Sequence, residues 1–185
     1  CSFTITVNDT ELPSISCPSN IIQANALGLC SAVVNYTAPV GTDNCTGSST
    51  IQTLGLVSGA NYPIGTTTNT FKVTDASGNT KTCSFTITVN DTELPSISCP
   101  SNIIQANDVG LCSAVVNYTA PVGTDNCTGS TTIQTLGLIS GANYPTGTTT
   151  NTFKVTDASG NTKTCSFTIT VNDTELPSIS CPSNI

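Results

Sequence analysis

Several residue types from which proteins build catalytic and nucleic-acid sites are missing or scarce in this chain. The 185 residues contain no His, Met or Trp, and only 4 are Lys or Arg against 11 Asp or Glu. Without His, a Ser-His or Cys-His nucleophile cannot be assembled. The net charge of −7 argues against nucleic acid and anionic membrane surfaces as partners, because both require clustered Lys and Arg. No apolar run approaches the roughly 18 residues of a membrane span. The sequence therefore predicts neither an enzyme, nor a nucleic-acid-binding protein, nor a membrane-inserted segment.

The residues that remain favour strands. Thr, Ser and Asn fill the polar positions, whereas the charged residues usual on helix surfaces are rare. Val, Ile, Thr, Phe and Tyr suit the pleated surface of a sheet. The composition therefore predicts an all-β protein.

The chain contains an internal sequence repeat with a period of 82 residues. The segment CSFTITVNDTELPSISCPSNI occurs at Cys1, Cys83 and Cys165. Residues 1–82 and 83–164 match at 77 positions and differ at five, which are Ala26/Asp108, Leu27/Val109, Ser49/Thr131, Val57/Ile139 and Ile64/Thr146. The stretch VNDTELP follows a clear strand and ends in a Pro that stops sheet pairing. We therefore expect complete repeats at 9–90 and 91–172, the last strand of a preceding repeat at 1–8, and the start of a following repeat at 173–185.

Alternating apolar residues predict the strands of one repeat. The last strand turns one face inward through Cys83, Phe85, Ile87 and Val89, and the strand before it through Thr67, Asn69, Phe71 and Val73. The turn-forming residues Asp75–Asn79 between them predict a hairpin. Upstream, Ala32, Val34 and Tyr36 share a further inward face. Short strands with turn signals at this spacing predict tandem immunoglobulin-like β-sandwich domains.

Six motifs carry a resemblance to a known family. They are CPSNII at 17–22, GLCSAVV at 28–34, TDNC at 42–45, SGANYPIGT at 58–66, TDASGN at 74–79 and CSFTITV at 83–89. Together they resemble the hyalin repeat, or HYR domain, along essentially the whole chain. The resemblance implies an immunoglobulin-like sandwich in extracellular or cell-surface proteins, associated with adhesion and found in long tandem arrays. It supplies no catalytic residue.

The ten cysteines predict structural disulfides formed in an oxidising compartment. None is spaced C-x-x-C, and no His is present to complete a zinc site. Four cysteines per repeat allow three pairings. Because the first and last strands of such a sandwich run parallel and start at one end, we expect the bridges Cys17–Cys83 and Cys30–Cys45, and their equivalents Cys99–Cys165 and Cys112–Cys127. The partners of Cys1 and Cys181 would then lie outside the chain.

The acidic residues predict a calcium site. The N-terminus of an immunoglobulin-like sandwich, the loop after its second strand and its last hairpin turn meet at one end. We expect nearly all acids of a repeat to converge there, and the residues are Asp9, Glu11, Asp43, Asp75, Asp91, Glu93, Asp125 and Asp157. Crowded carboxylates repel, and Ca²⁺ accepts irregular shells of oxygen ligands. Ordinary turn chemistry is the alternative, because Asp favours turns without any metal.

Two functions remain open. Near-identity of the repeats favours a structural array, namely an extracellular fibre, stalk or filament whose partners are neighbouring repeats and, by self-association, other copies of the chain. The alternative is an adhesin module that binds glycan or protein, which would need an exposed aromatic cluster or a pocket. Of the aromatic residues in a repeat, Tyr62 is the one that we expect to be exposed.

Overall fold

The computed structural model describes residues 1–182, which form two compact units, residues 1–93 and the residues from 94 onward. No helix occurs among the described residues. The first unit contains six strands, which are β1 (Ile21–Ala24), β2 (Ser31–Val33), β3 (Ser49–Leu54), β4 (Asn61–Pro63), β5 (Gly65–Thr74) and β6 (Thr80–Asn90). The second contains β7 (Ile103–Ala106), β8 (Ser113–Val115), β9 (Thr131–Leu136), β10 (Asn143–Pro145), β11 (Gly147–Thr156) and β12 (Thr162–Asn172). Because the two units repeat the same sequence, they adopt the same topology.

The larger sheet of the first unit has the strand order β1-β6-β5-β3. The predicted hairpin is confirmed, because β5 and β6 pair antiparallel from Gly65 opposite Val89 to Thr74 opposite Thr80. The short β1 pairs parallel to β6, and β3 pairs antiparallel to β5 with a register shift. The turn between β5 and β6 closes through Gly78, whose φ of 92° is readily adopted only by glycine.

A smaller layer covers one face of this sheet. Strands β2 and β4 pair antiparallel with Ala32 opposite Tyr62, and Ser14 forms an isolated bridge with Thr42. The alternation predicted for β2 is confirmed, since Ala32 and Val34 are buried whereas Val33 is exposed. The two layers form the expected sandwich.

The core of the unit lies between the layers. Its buried residues are Ala32, Val34, Tyr62, Phe71, Phe85, Ile87 and Val89. The half-buried Tyr36 packs edge-on against Phe71 and Phe85, with ring centroids 6.3 and 5.1 Å away. Such aromatic contacts stabilise a core beyond the area that they bury.

The prediction that Tyr62 is exposed is wrong, because its side chain is 0% exposed. Its hydroxyl donates to the carbonyl of Leu56 and accepts a hydrogen bond of 2.8 Å from Nδ2 of the buried Asn69. Asn69 Oδ1 in turn accepts from the backbone N–H of Leu56 at 3.0 Å. A tyrosine ring can be fully buried when its hydroxyl has buried hydrogen-bond partners. The sequence pattern of the three-residue strand β4 did not reveal those partners.

The first predicted disulfide of each repeat is present. Cys17 and Cys83 are bonded with their Cα atoms 5.6 Å apart, and so are Cys99 and Cys165. Each bridge ties the segment before the first strand of its unit to the last strand, near the end at which that strand begins.

Each unit has two poles, at the opposite ends of its last strand. In the first unit, the N-terminal pole comprises residues 9–11, 43–45 and 75–79, and the C-terminal pole comprises residues 25–29 and 90–93. The turn 25–29 is held at its pole by a hydrogen bond of 2.8 Å from the Asn25 N–H to the Asn90 carbonyl. Because β6 is 11 residues long, the poles are about 35 Å apart at the usual rise of ~3.3 Å per residue.

The predicted bridges Cys30–Cys45 and Cys112–Cys127 are not formed in the structure, in which Cys45 and Cys112 are free thiols. Cys30 directly follows the turn of the C-terminal pole, whereas Cys45 lies at the N-terminal pole, where it shares a cleft with Ser77. A disulfide requires Cα atoms within about 7 Å, and the length of the sheet separates these two cysteines. The sequence prediction was wrong because it paired the cysteines by elimination without placing them along the strands.

The flanking segments carry no strand where they are described. Residues 1–8, expected to be the last strand of a preceding repeat, belong to no strand, and neither do residues 173–182. The equivalent segment of the first unit, in β6, is a strand because it pairs with both β5 and β1. The remainder of the expected following repeat, residues 183–185, lies outside the described residues.

Candidate functional site

Two acidic residues and a cysteine meet at the N-terminal pole of the first unit. One carboxylate oxygen each from Asp9 and Asp43 and the sulfur of Cys45 all lie within 4.8 Å of one another. The loop carrying Asp43 and Cys45 is anchored by two backbone hydrogen bonds between Ser14 and Thr42, of 2.7 and 2.8 Å. Asp43 Oδ2 accepts from the Cys45 N–H at 3.0 Å, which is the local turn that Asp side chains commonly form. The structure therefore brings together two of the predicted carboxylates.

Asp9 contributes an oxygen that has no partner. Its Oδ1 accepts from the Glu11 N–H at 3.0 Å, and its carbonyl accepts from Asn79 Nδ2 at 3.2 Å. Its Oδ2 is buried and makes no hydrogen bond. A buried carboxylate oxygen without a donor is costly, and a bound cation would remove that cost.

Asp75 is not part of the cluster. Its Oδ1 accepts from the Asn79 N–H and its Oδ2 from Asn79 Nδ2, both at 2.8 Å. Burial opposes ionisation of this carboxyl, but the hydrogen bonds from Asn79 and from the N–H groups of Ser77 and Gly78 outweigh it and hold the pKa of Asp75 below its ordinary value. Both oxygens are committed to the hairpin turn, so Asp75 stabilises the turn rather than offering a ligand.

The two predicted glutamates lie at different poles. Glu11 is at the N-terminal pole, where its Oε2 accepts from Asn44 Nδ2 at 2.9 Å. Glu93 is at the C-terminal pole, where the Gly28 N–H donates to its Oε1 and Oε2 at 2.9 and 2.8 Å. The carboxylate of Glu93 therefore holds the turn 25–29 of its own unit.

The second unit repeats these local arrangements. Asp125 Oδ2 accepts from the Cys127 N–H at 2.9 Å, and Asp125 Oδ1 is buried without a hydrogen bond. Asp157 accepts from the N–H groups of Ser159 and Asn161 at 2.9 and 2.8 Å, as Asp75 does in its own turn. Asp91, at the end of the first unit, is buried and accepts from the Glu93 N–H at 3.2 Å.

Cys45 is the residue of this cluster that the sequence prediction missed. The adjacent Asp9 carboxylate, followed by the negative charge of Asp43, raises the pKa of the Cys45 thiol. A raised pKa keeps the sulfur protonated and makes it a weak nucleophile at neutral pH. The motif TDNC at 42–45 places Cys45 two residues after Asp43 and could have revealed it.

The carboxylates of this cluster suit a hard cation, but its thiol does not. Ca²⁺ takes 6–8 oxygen ligands at about 2.3–2.6 Å, and Asp9 and Asp43 supply carboxylate oxygens at this pole. The thiol of Cys45 is a soft group that Ca²⁺ does not favour. The carboxylates fit a weak calcium site in which backbone carbonyls and water would complete the shell.

Two β-sandwich units in tandem, each with a disulfide from the segment before its first strand to its last strand, define a class of tandem repeats typical of extracellular proteins. A family model described as the HYR domain matches residues 8–89 and again residues 90–171. The chain belongs to this family, as its motifs indicated.

Curated relatives agree with this assignment. The chain is 38% identical over 194 residues to Hyalin of Strongylocentrotus purpuratus, a match that covers 100% of this chain and 16% of the relative. It is 36% identical over 129 residues to Hyalin of Lytechinus variegatus, covering 66% of this chain and 24% of the relative. Among solved structures, extracellular cadherin domains 3–6 of Protocadherin Gamma B2 match with a TM-score of 0.41 and 15% identity, over 91% of this chain and 53% of that one.

The chain spans less than a quarter of the length of the two Hyalin relatives. The relatives and the disulfides locate these repeats outside the cell or at its surface. Among the described residues, no helix is long and apolar enough to cross a membrane.

Proposed function

We propose that these repeats are the structural units of an extracellular fibre, stalk or filament, in which neighbouring repeats of one chain are the main partners and self-association of chains is a further step. The observation that carries the proposal is the identity of the two repeats at 77 of 82 positions. Modules that recognise different ligands would differ in their loops, whereas a building element gains from repetition.

Burial or partial burial of the aromatic residues from Tyr36 to Phe167 supports the structural role over the adhesin alternative. Binding hot spots are enriched in exposed Tyr and Trp. The chain has no Trp, and Tyr62, the aromatic expected at the surface, lies in the core.

Electron microscopy with gold-labelled antibodies against the repeat tests this function on cells of the source organism. We expect the label to decorate extended extracellular fibres or stalks at many points along their length. Label restricted to the cell envelope, with no fibre carrying it, would refute the structural role and favour the adhesin.

We further propose that calcium binds at the N-terminal pole of the first unit through Asp9 and Asp43, whose equivalents one period later in the sequence are Asp91 and Asp125. The buried, unpartnered Asp9 Oδ2 and its nearness to the Asp43 carboxylate support this site. Of the other predicted ligands, Glu11 lies nearby and joins the proposed shell through water, whereas Asp75, Asp157 and Glu93 keep their hydrogen bonds within their own turns.

Thermal unfolding in millimolar Ca²⁺ and in chelator, at matched ionic strength, tests the calcium site. Because Ca²⁺ would bind only the folded state, we expect a higher melting temperature with it. The double variant Asp9→Asn and Asp43→Asn should lose the part of this gain that comes from the first repeat. Mg²⁺ at equal concentration is the control for charge screening, and an equal gain with both ions would contradict a calcium site.

A further inference from the structure

The chain carries a short acceptor motif that the proposed function leaves without a role. The triplet Asn-x-Thr, in which x is any residue except Pro, accepts N-linked glycans in secreted proteins. It begins at seven positions, which are Asn8, Asn35, Asn44, Asn90, Asn117, Asn126 and Asn172. Because the repeats lie outside the cell or at its surface, the chain meets the secretory route on which such glycans are added. The folded repeat decides which of these triplets can hold one.

Asn35 lies on the outer face of the smaller layer, just after β2. Val34 and Tyr36 on either side of it pack into the core, so the Asn35 side chain points away from the core and is exposed. The backbone at this point is firmly held, because the Val34 N–H donates to the Ala60 carbonyl at 3.3 Å and the Tyr36 N–H donates to Ser58 Oγ at 2.8 Å. The repeat thus presents this amide to solvent from a fixed position.

The amide of Asn35 also has room for a substituent. None of the described residues forms a hydrogen bond with it. Gly59, on the neighbouring segment, has no side chain, and a Cβ placed there would lie 3.5 Å from Asn35 Oδ1. The side chain of Thr37, the third residue of the triplet, is exposed as well. A sugar on Asn35 Nδ2 would therefore break no contact of the folded repeat.

Asn117 has the same surroundings within the second unit. Its side chain and that of Thr119 are exposed. The Tyr118 N–H donates to Ser140 Oγ at 2.8 Å, and a Cβ placed at Gly141 would lie 3.4 Å from Asn117 Oδ1. The features that make Asn35 available are thus present in each unit.

The triplet at Asn44 is occupied by contacts of the N-terminal pole. Asn44 Nδ2 donates to Glu11 Oε2 at 2.9 Å, and Asn44 Oδ1 accepts from the Cys45 N–H at 3.0 Å. A sugar on this nitrogen would meet the Glu11 carboxylate. Asn126, the equivalent of Asn44, is half-buried, so neither of these two triplets offers a free amide on an open face.

The remaining triplets share a different obstacle. In the triplets that begin at Asn8, Asn90 and Asn172, the middle residue is Asp. A carboxylate beside the acceptor nitrogen repels the diphosphate that carries the glycan to be transferred. In the triplet at Asn90, the Thr92 hydroxyl also donates to Asn25 Oδ1 at 3.5 Å.

We propose that Asn35 and Asn117 are the asparagines that carry N-linked glycans. Nδ2 of the asparagine forms a bond to the anomeric carbon of a glycan held on a lipid diphosphate, and the bond from that carbon to the diphosphate oxygen breaks. One amide proton passes to a base of the transferase, and the lipid diphosphate leaves. The glycan then stands beside Val33, which lies two residues before Asn35 and is 53% exposed, and covers this apolar surface.

Mass spectrometry on the protein purified from its source tests the two sites. After reduction, cleavage before every Asp places each of the seven asparagines in a fragment of its own, with Asn35 in 9–42, Asn117 in 108–124 and Asn44 in 43–74. We expect 9–42 and 108–124 to carry added mass that fragmentation releases as sugar ions. Absence of sugar from either fragment would overturn the proposal. Sugar spread equally over all seven fragments would refute the selection by the fold.

Variants secreted from animal cells distinguish a glycan on Asn35 from one on a nearby hydroxyl. Asn35→Gln and Thr37→Ala should each remove the sugar from 9–42, whereas Thr37→Ser keeps the acceptor triplet and should retain it. The fragment 108–124 of the same molecules should stay modified, and Asn44→Gln should change neither fragment. Sugar that persists on 9–42 in Asn35→Gln would contradict the proposal. Fibres seen by electron microscopy without these glycans would leave the array function standing while this proposal fails.

Discussion

Breaking the core disulfide should lengthen a stretched repeat about fivefold. The Cys17–Cys83 bridge joins residues that are 66 apart in sequence, whereas the repeat advances 82 residues along the chain. An unfolded but oxidised repeat therefore leaves only 16 residues per period free to extend. At about 3.6 Å per residue, this is roughly 58 Å, compared with roughly 295 Å for a repeat whose bridge is reduced.

Single-molecule force spectroscopy on the chain, held by its two ends, measures this difference directly. We expect short unfolding steps under oxidising conditions and long ones after reduction. The bridge also contributes about 4 kcal/mol to the free energy of unfolding by its loop length, so the long steps should occur at lower force.

Cys45→Ser is the control for this measurement, because it leaves the core bridge intact and should reproduce the short steps. Oxidised repeats that lengthen as far as reduced ones would refute the reasoning, since the bridge would then not bear the tension between the ends of the repeat.

Three further predictions concern the stability of the repeat, measured by denaturant unfolding. Gly41→Ala should cost about 1–3 kcal/mol by overpacking, because a Cβ at Gly41 would lie 2.5 Å from the Val73 Cβ; an unchanged midpoint would contradict this close packing. Tyr62→Phe should cost about 1–3 kcal/mol because Asn69 Nδ2 loses its acceptor, whereas Ser77→Ala in the exposed turn should have little effect. Since the pKa of Asp75 is lowered in the folded state, its contribution to the free energy of unfolding should be full above the ordinary carboxyl pKa of about 3.9 and should disappear as the pH falls through the folded-state pKa. Asp75→Asn should therefore flatten the acid side of the profile of stability against pH. An unaltered profile would argue against this role of Asp75.

The sequence was sufficient to predict the sandwich and its core bridge. Period-two alternation in the sequences of β5 and β6 predicts which side chains point inward, and Cys83 lies on the inward face of β6. Once the first and last strands are parallel, Cys17 and Cys83 fall within bonding distance.

Contacts that depend on position along the sheet were not predictable. The alternation shows which face a residue occupies, but not which pole a loop reaches, so Cys30 and Cys45 were wrongly paired. Likewise, Asp75 and Asp43 both occupy loops at the N-terminal pole, yet only the structure shows that Asn79 occupies both oxygens of Asp75. Tyr62 was expected to be exposed because its polar partners, Asn69 and the Leu56 carbonyl, come from other segments.

The antiparallel pairing of β5 and β6 should also protect the repeat from proteases that cut at basic residues. The chain has four basic residues and all are lysines, two in each repeat, at 72, 81, 154 and 163. Trypsin-like enzymes need an extended, unpaired backbone at a basic residue, but Lys72 is held opposite Thr82 and Lys81 opposite Val73. If a protease does cut after Lys72, the disulfide from Cys17 to Cys83 spans the nick and keeps the two pieces together. A material built from such repeats would persist among secreted proteases that degrade ordinary lysine-rich surfaces.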